Sequence, residues 1–131
     1  MGTINDALDY LADNTIVEKG ESNGWSWREY ANGKVEIWYH GQLTLNSTTS
    51  SSYGVNRREK WFDFPNNYAL NNCAVFVDGM DTGSWAGCGG VQNASSGTTE
   101  PFTKFEVMQY RVSSAGPQTM TVSVYICGDK A

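Results

Sequence analysis

From Thr15 onward the chain is written as short apolar stretches that recur every eight to twelve residues, divided by Gly, Asn and Ser. That rhythm narrows the fold more than any other feature, because strands of sandwiches and barrels are short and each reversal takes a turn-forming residue. The stretches are Ile16 to Glu18, Trp25 to Tyr30, Val35 to Tyr39, Leu43 to Thr48, Lys60 to Phe64, Cys73 to Val77, Lys104 to Val112 and Thr119 to Cys127. Each is read as a strand. Alternation sorts their faces: Val35, Ile37 and Tyr39 share one side, as do Met120, Val122, Val124 and Ile126, and these are the expected core. Thr121, Ser123 and Tyr125 look the other way, toward solvent or a neighbouring subunit. Asn32-Gly33 lies between the second and third stretches, and Asn-Gly supplies the two positive φ angles of a tight hairpin turn.

The first residues read differently. Thr3 and Asp6 form a capping pair, and Ile4, Leu8 and Leu11 follow at spacings of four and three with Asp6, Asp9 and Asp13 outside. That places three apolar residues on one stripe of a short helix over residues 1–14. Fewer than two heptads cannot hold a coiled coil alone. Two readings stay open: the end of a longer helical bundle in which Ile4, Leu8 and Leu11 meet other copies, or an amphipathic helix lying on its own domain. The direct start Met1-Gly2-Thr3 into a helix suggests a piece of a longer parent. Residues 15–131 form the expected β domain, and the fold class is all-β: an antiparallel, jelly-roll-like β-sandwich with a short N-terminal α-helix.

Composition narrows the function classes. At 131 residues the chain can bury roughly two thirds of its unfolded surface without staples. The net charge of −5 argues against wrapping nucleic acid or lying on anionic lipid, since both need excess Lys and Arg. A neutral or glycan-like partner suits it better. No stretch approaches the ~20 apolar residues that span a bilayer, and no basic-then-apolar leader opens the chain, so the expectation is a soluble protein without its own signal peptide. Cys73, Cys88 and Cys127 are an odd number without close partner ligands, so they are expected as buried free thiols, neither a full disulfide set nor a zinc site.

Residues that could carry chemistry are few. His40 is the only histidine, and Glu36 on the same face of its strand lies about 13 Å away, too far for a dyad. Asp78-Gly79-Met80-Asp81 lacks the alternating ligands of a calcium loop and reads as a turn. Asn46-Ser47-Thr48 and Asn93-Ala94-Ser95 match a glycosylation sequon, which matters only in a eukaryotic secretory route. Arg57-Arg58-Glu59-Lys60 is a basic island too short for nucleic acid, expected to pair with acids across a subunit contact or to face water. No nucleophile elbow, zinc helix or phosphate loop occurs. No catalytic residue, metal or cofactor is expected. A hydrolase would have to draw on Asp63, Asp78, Asp81 and Glu106, which are candidates only by default.

Aromatics are the richer set. Tryptophans within strands, Trp38 among them, are expected to fill core, whereas Trp85 and Tyr53 sit in the polar stretches Asp78 to Thr99 and Asn46 to Tyr53, read as loops where little core is available. Trp85 and Tyr53, with Tyr68 from the same aromatic set, are the candidate ligand contacts.

The segment Ile16-Val17-Glu18-Lys19-Gly20, followed by Trp25-Ser26-Trp27-Arg28-Glu29-Tyr30-Ala31-Asn32-Gly33-Lys34-Val35-Glu36-Ile37-Trp38, resembles the opening of C-terminal domains in phage and prophage tail proteins of Gram-positive bacteria. Phe62-Asp63-Phe64-Pro65 looks like their Phe-Pro element, and Val122-Ser123-Val124-Tyr125-Ile126-Cys127-Gly128 like their final strand. The likeness covers most of residues 16–128. It implies a homotrimeric β-sandwich on a tail appendage, knitted together by an upstream helix, that holds a host-surface glycan or other receptor or caps the fibre. The location implied is the virion tail, assembled in the bacterial cytoplasm. The resemblance carries over no catalytic or metal residues. The ending Gly128-Asp129-Lys130-Ala131 departs from many relatives, so receptor specificity does not transfer. The alternative is a monomeric carbohydrate-binding module of a secreted or surface bacterial protein.

Overall fold

The computed structural model describes residues 3–45, 50–52, 55–81, 84–111 and 119–131. One helix, α1 (Ile4–Asn14), leads into strands β1 (Ile16–Ser22), β2 (Trp25–Tyr30), β3 (Lys34–Thr44), β4 (Ser50–Ser52), β5 (Val55–Asp63), β6 (Leu70–Asp81), β7 (Ser84–Gln92), β8 (Lys104–Arg111) and β9 (Thr119–Lys130). The capping pair forms in full: Asp6 N–H donates to Thr3 Oγ1 at 3.2 Å, and Thr3 N–H donates to the Asp6 carboxylate at 2.9 Å. Ile4 and Leu8 remain 80% and 57% exposed, so these two side chains do not pack on the β domain. The Leu11 side chain lies outside the described residues.

All pairings are antiparallel, and among the described residues the strands form one nine-stranded sheet in the order β1-β2-β3-β9-β6-β7-β8-β5-β4. In place of a jelly-roll sandwich of two separate sheets there is one sheet curled into a half-barrel. The curl is made by β6, whose Leu70–Asp78 part pairs with β9 while Gly79–Asp81 pairs with β7. Asp78 to Asp81 is therefore a bend within a strand, not a turn. A Cβ on Gly79 would meet Val122 Cγ1 at 2.8 Å and the Thr121 carbonyl at 3.0 Å, so only glycine lets the bend sit this close to β9.

Both halves face one core. Val35, Ile37, Tyr39 and Leu43 from β3 and Met120, Val122, Val124 and Ile126 from β9 meet Phe105 and Val107 from β8, with Leu70, Phe64 and Tyr68 closing one end. The faces assigned to β3 and β9 by alternation are the faces observed. Trp25 bridges the halves, its ring 4.9 Å from Tyr39 and 5.9 Å from Phe105. Each fully buried side chain of this kind contributes roughly 1.5–3 kcal/mol.

The two Asn-Gly pairs differ. Asn32-Gly33 does join β2 to β3, but only Gly33 has positive φ, at 85°, and its N–H donates to the Tyr30 carbonyl at 2.9 Å. That is the longer loop in which a turn is followed by a left-handed glycine. The turn with both φ angles positive is Asn23 (51°) and Gly24 (87°), between the paired residues Ser22 and Trp25. The two-residue hairpin geometry expected of one Asn-Gly belongs to the other.

Candidate binding surface

Because β3 buries Val35, Ile37 and Tyr39, parity forces Glu36, Trp38 and His40 onto its outer face. The expectation that Trp38 fills core is corrected by that same alternation. Register aligns Trp38 with Tyr125 on β9, and Tyr125 with Phe76 on β6, so three aromatic rings stand in one row across three strands. Ring centroids are 5.8 Å apart for Trp38 and Tyr125 and 6.2 Å for Tyr125 and Phe76. Phe76 is 61% exposed. The Arg28 guanidinium lies 4.7 Å from the Trp38 ring centroid, an attractive cation–ring contact.

Polar rows flank the rings. On one side Arg28 and Glu36 are cross-strand neighbours, and on the other His40, Ser123 and Asp78 are. The Glu36 carboxylate accepts from two phenols, Tyr30 at one oxygen and Tyr125 at the other, the latter at 2.8 Å. Partial burial and then this carboxylate push the Tyr125 phenol up to about 12, and the Glu36 bond raises Tyr30. Both phenols therefore stay protonated donors at neutral pH. His40 Nδ1 lies 2.9 Å from Ser123 Oγ, so its partner is that hydroxyl and not Glu36. A depression of about 550 Å³ is lined by Trp38, Phe76, Asp78, Ser123 and Tyr125 among others, and a cleft of about 490 Å³ opens beside Tyr30, Glu36 and Tyr125.

The aromatic candidates from sequence fare differently. Trp85 does not sit in a loop: it belongs to β7, where β8 recruits the Gly-rich segment as a strand. It is 46% exposed on the outer face of the other half, 6.5 Å from the Tyr110 ring. Tyr68 is 4% exposed and closes the core, its hydroxyl donating to the buried Glu29 carboxylate at 3.2 Å, and burial pushes its phenol up to about 12. It is not available to a ligand. Tyr53 lies outside the described residues. Alternation alone turns Tyr125 outward, whereas the row Trp38, Tyr125, Phe76 exists only through the register of β3, β9 and β6.

Other candidates are also placed. The three thiols are free as expected, but Cys88 is exposed and Cys73 and Cys127 are half-buried, so the expected burial is incomplete. Arg58 is buried, with Nη1 donating to Gln109 Oε1 at 3.4 Å, and Arg57 is 3.7 Å from Glu59 of its own strand. The Asn93 carboxamide is committed to its own turn, accepting from the Ser95 and Gly97 amides at 2.9 and 2.8 Å; Asn46 lies outside the described residues. Asp63 ends β5, Asp78 and Asp81 sit on β6, and Glu106 sits on β8 beside Glu59. Among the described residues no group of three His, Cys, Asp or Glu could hold a metal ion, and no helix is long and apolar enough to cross a membrane.

No family model and no curated protein matches this sequence. One solved structure, an N-truncated R1-type pyocin tail fiber at 1.7 Å resolution, is similar over 98% of this chain and 98% of that chain, with a TM-score of 0.50 and 9% sequence identity. A likeness at that identity establishes a shared fold along the whole length.

Proposed function

We propose that this chain is a tail-fibre domain of a phage or phage-like particle, acting as a homotrimer that attaches the tail to a host-surface glycan. The single observation that carries the reading is the end-to-end structural likeness to a pyocin tail fiber. It agrees with the independent sequence resemblance to tail domains of Gram-positive phages and prophages. The exposed Ile4 and Leu8 of α1 support trimerisation: an 11-residue helix is marginal in water, and these two side chains gain a dry environment when copies associate. Three weak sites on one rigid fibre bind by avidity, so single-site affinity can be low. The working location is the virion tail, after assembly in the bacterial cytoplasm.

Light scattering of the purified chain at micromolar concentration tests the assembly. The expected mass is three times 14.4 kDa, and Ile4→Asp with Leu8→Asp lowers it to one copy without loss of the β-sheet signal in circular dichroism. A monomeric wild type overturns the trimer. The outward aromatic row supports a second reading, a monomeric carbohydrate-binding module, and that same monomeric mass would favour it.

A further inference from the structure

We infer that the outer face of β2, β3, β9 and β6, centred on Trp38, Tyr125 and Phe76, is a platform for a neutral, extended glycan chain. The inference rests on the attachment reading above and moves the ligand away from Trp85, Tyr53 and Tyr68. A sugar ring offers an apolar C–H face ringed by hydroxyls, and the complement is an aromatic surface with a few fixed polar groups at its margins. That is the order found here: a row of rings with Arg28 and Glu36 on one side and His40, Ser123 and Asp78 on the other.

Folding does not account for this row. On β6 the core is served by Val75 and Val77, which pack against it, while Phe76 points outward at 61% exposure. Two of the three rings are also held before any ligand arrives. Glu36 ties the Tyr125 hydroxyl at 2.8 Å and Arg28 covers part of Trp38, so little side-chain freedom is lost on binding.

Charge selects the occupant. Glu36 already accepts two phenols and the Arg28 guanidinium lies over Trp38; Lys19 and Glu21 line the adjoining depression with Arg28 and Trp38, and Asp78 stands at the opposite rim, so the face carries charges of both signs and no basic cluster. With a net charge of −5 on the chain, an anionic polymer is repelled. A second copy packed on this face would desolvate Glu36 and Asp78 opposite their own kind, an arrangement protein interfaces avoid. An uncharged polyol meets neither cost.

The test uses the full chain on a panel of immobilised neutral and anionic bacterial surface glycans, followed by calorimetric titration with each glycan retained. Wild type is expected to retain neutral glycans. Phe76→Ala and Trp38→Ala each weaken that binding at least tenfold, Tyr125→Phe weakens it severalfold through the lost tether, and Trp85→Ala leaves it unchanged. Phe76 is exposed, so its variant folds whatever becomes of Trp38→Ala. Neutral glycans bound equally by wild type and Phe76→Ala overturn the platform but spare glycan attachment. Retention of anionic glycans alone overturns the charge argument and the platform with it. A wild-type trimer that retains no glycan overturns glycan attachment itself.

Discussion

Replacing Gly79 with alanine tests the bend that curls the sheet. The added methyl would sit 2.8 Å from Val122 Cγ1 and 3.0 Å from the Thr121 carbonyl, and the second neighbour is backbone in the central strand β9. Overpacking of this kind costs roughly 1–3 kcal/mol. Loss of glycine's freedom in the unfolded chain returns roughly 0.4–1 kcal/mol. The net expectation is a destabilisation of about 1–2 kcal/mol, a fall in Tm of several degrees for a domain of this size. Gly87 on the next strand is the internal control, since a Cβ there meets nothing within 4 Å; Gly87→Ala should be neutral or gain a few tenths of a kcal/mol. Urea unfolding at one fixed protein concentration measures both, since self-association of the kind proposed would make stability depend on concentration. Adding Val122→Ala to Gly79→Ala relieves one of the two contacts, so the double variant should lose less than the sum of the singles. Equal effects of the two glycine substitutions, or strict additivity with Val122→Ala, would refute the close approach.

Two further outcomes follow from groups inside and outside the half-barrel. Tyr68→Phe removes a buried donor to Glu29 and leaves that carboxylate with Lys130 Nζ at 3.0 Å; the expected loss is about 1–2 kcal/mol in urea unfolding, and no loss would show the bond to be idle. Burial first, and then the charge of Glu59, raise the Glu106 carboxyl above its ordinary 4.5 despite Arg57. The folded chain therefore holds this proton more tightly than the unfolded one, and its contribution to stability is present below 4.5 and lost as pH rises through the raised value. Glu106→Gln should flatten that decline in urea midpoints across the acidic range; an unchanged slope would exclude Glu106 as its source.

Much of this fold is legible in the sequence, and what is not is non-local. Strand β2 runs from Trp25 to Tyr30 as its pattern indicates, and alternation on β3 and β9 identifies the core. Val35 to Tyr39 and Leu43 to Thr48 read as two strands, yet β3 runs without a break from Lys34 to Thr44. Strand β7 was hidden: Ser, Gly, Ala and Cys carry little strand preference, and only the ladder to β8 makes Ser84–Gln92 extended. The curl could not be read locally either, since it depends on β6 pairing first with β9 and then with β7. For the outer aromatic face the signal is present, as Glu36, Trp38 and His40 fall out of phase with Val35, Ile37 and Tyr39; what the sequence lacks is the register that sets Trp38, Tyr125 and Phe76 side by side.

Strand β9 is the last in sequence order and yet lies between β3 and β6. Without β9 the β1-β2-β3 ladder and the β6-β7-β8-β5-β4 ladder share no strand, and β9 joins them by pairing with β3 on one side and β6 on the other. A product that stops short of Thr119 lacks the strand that joins the β1-β2-β3 ladder to β6.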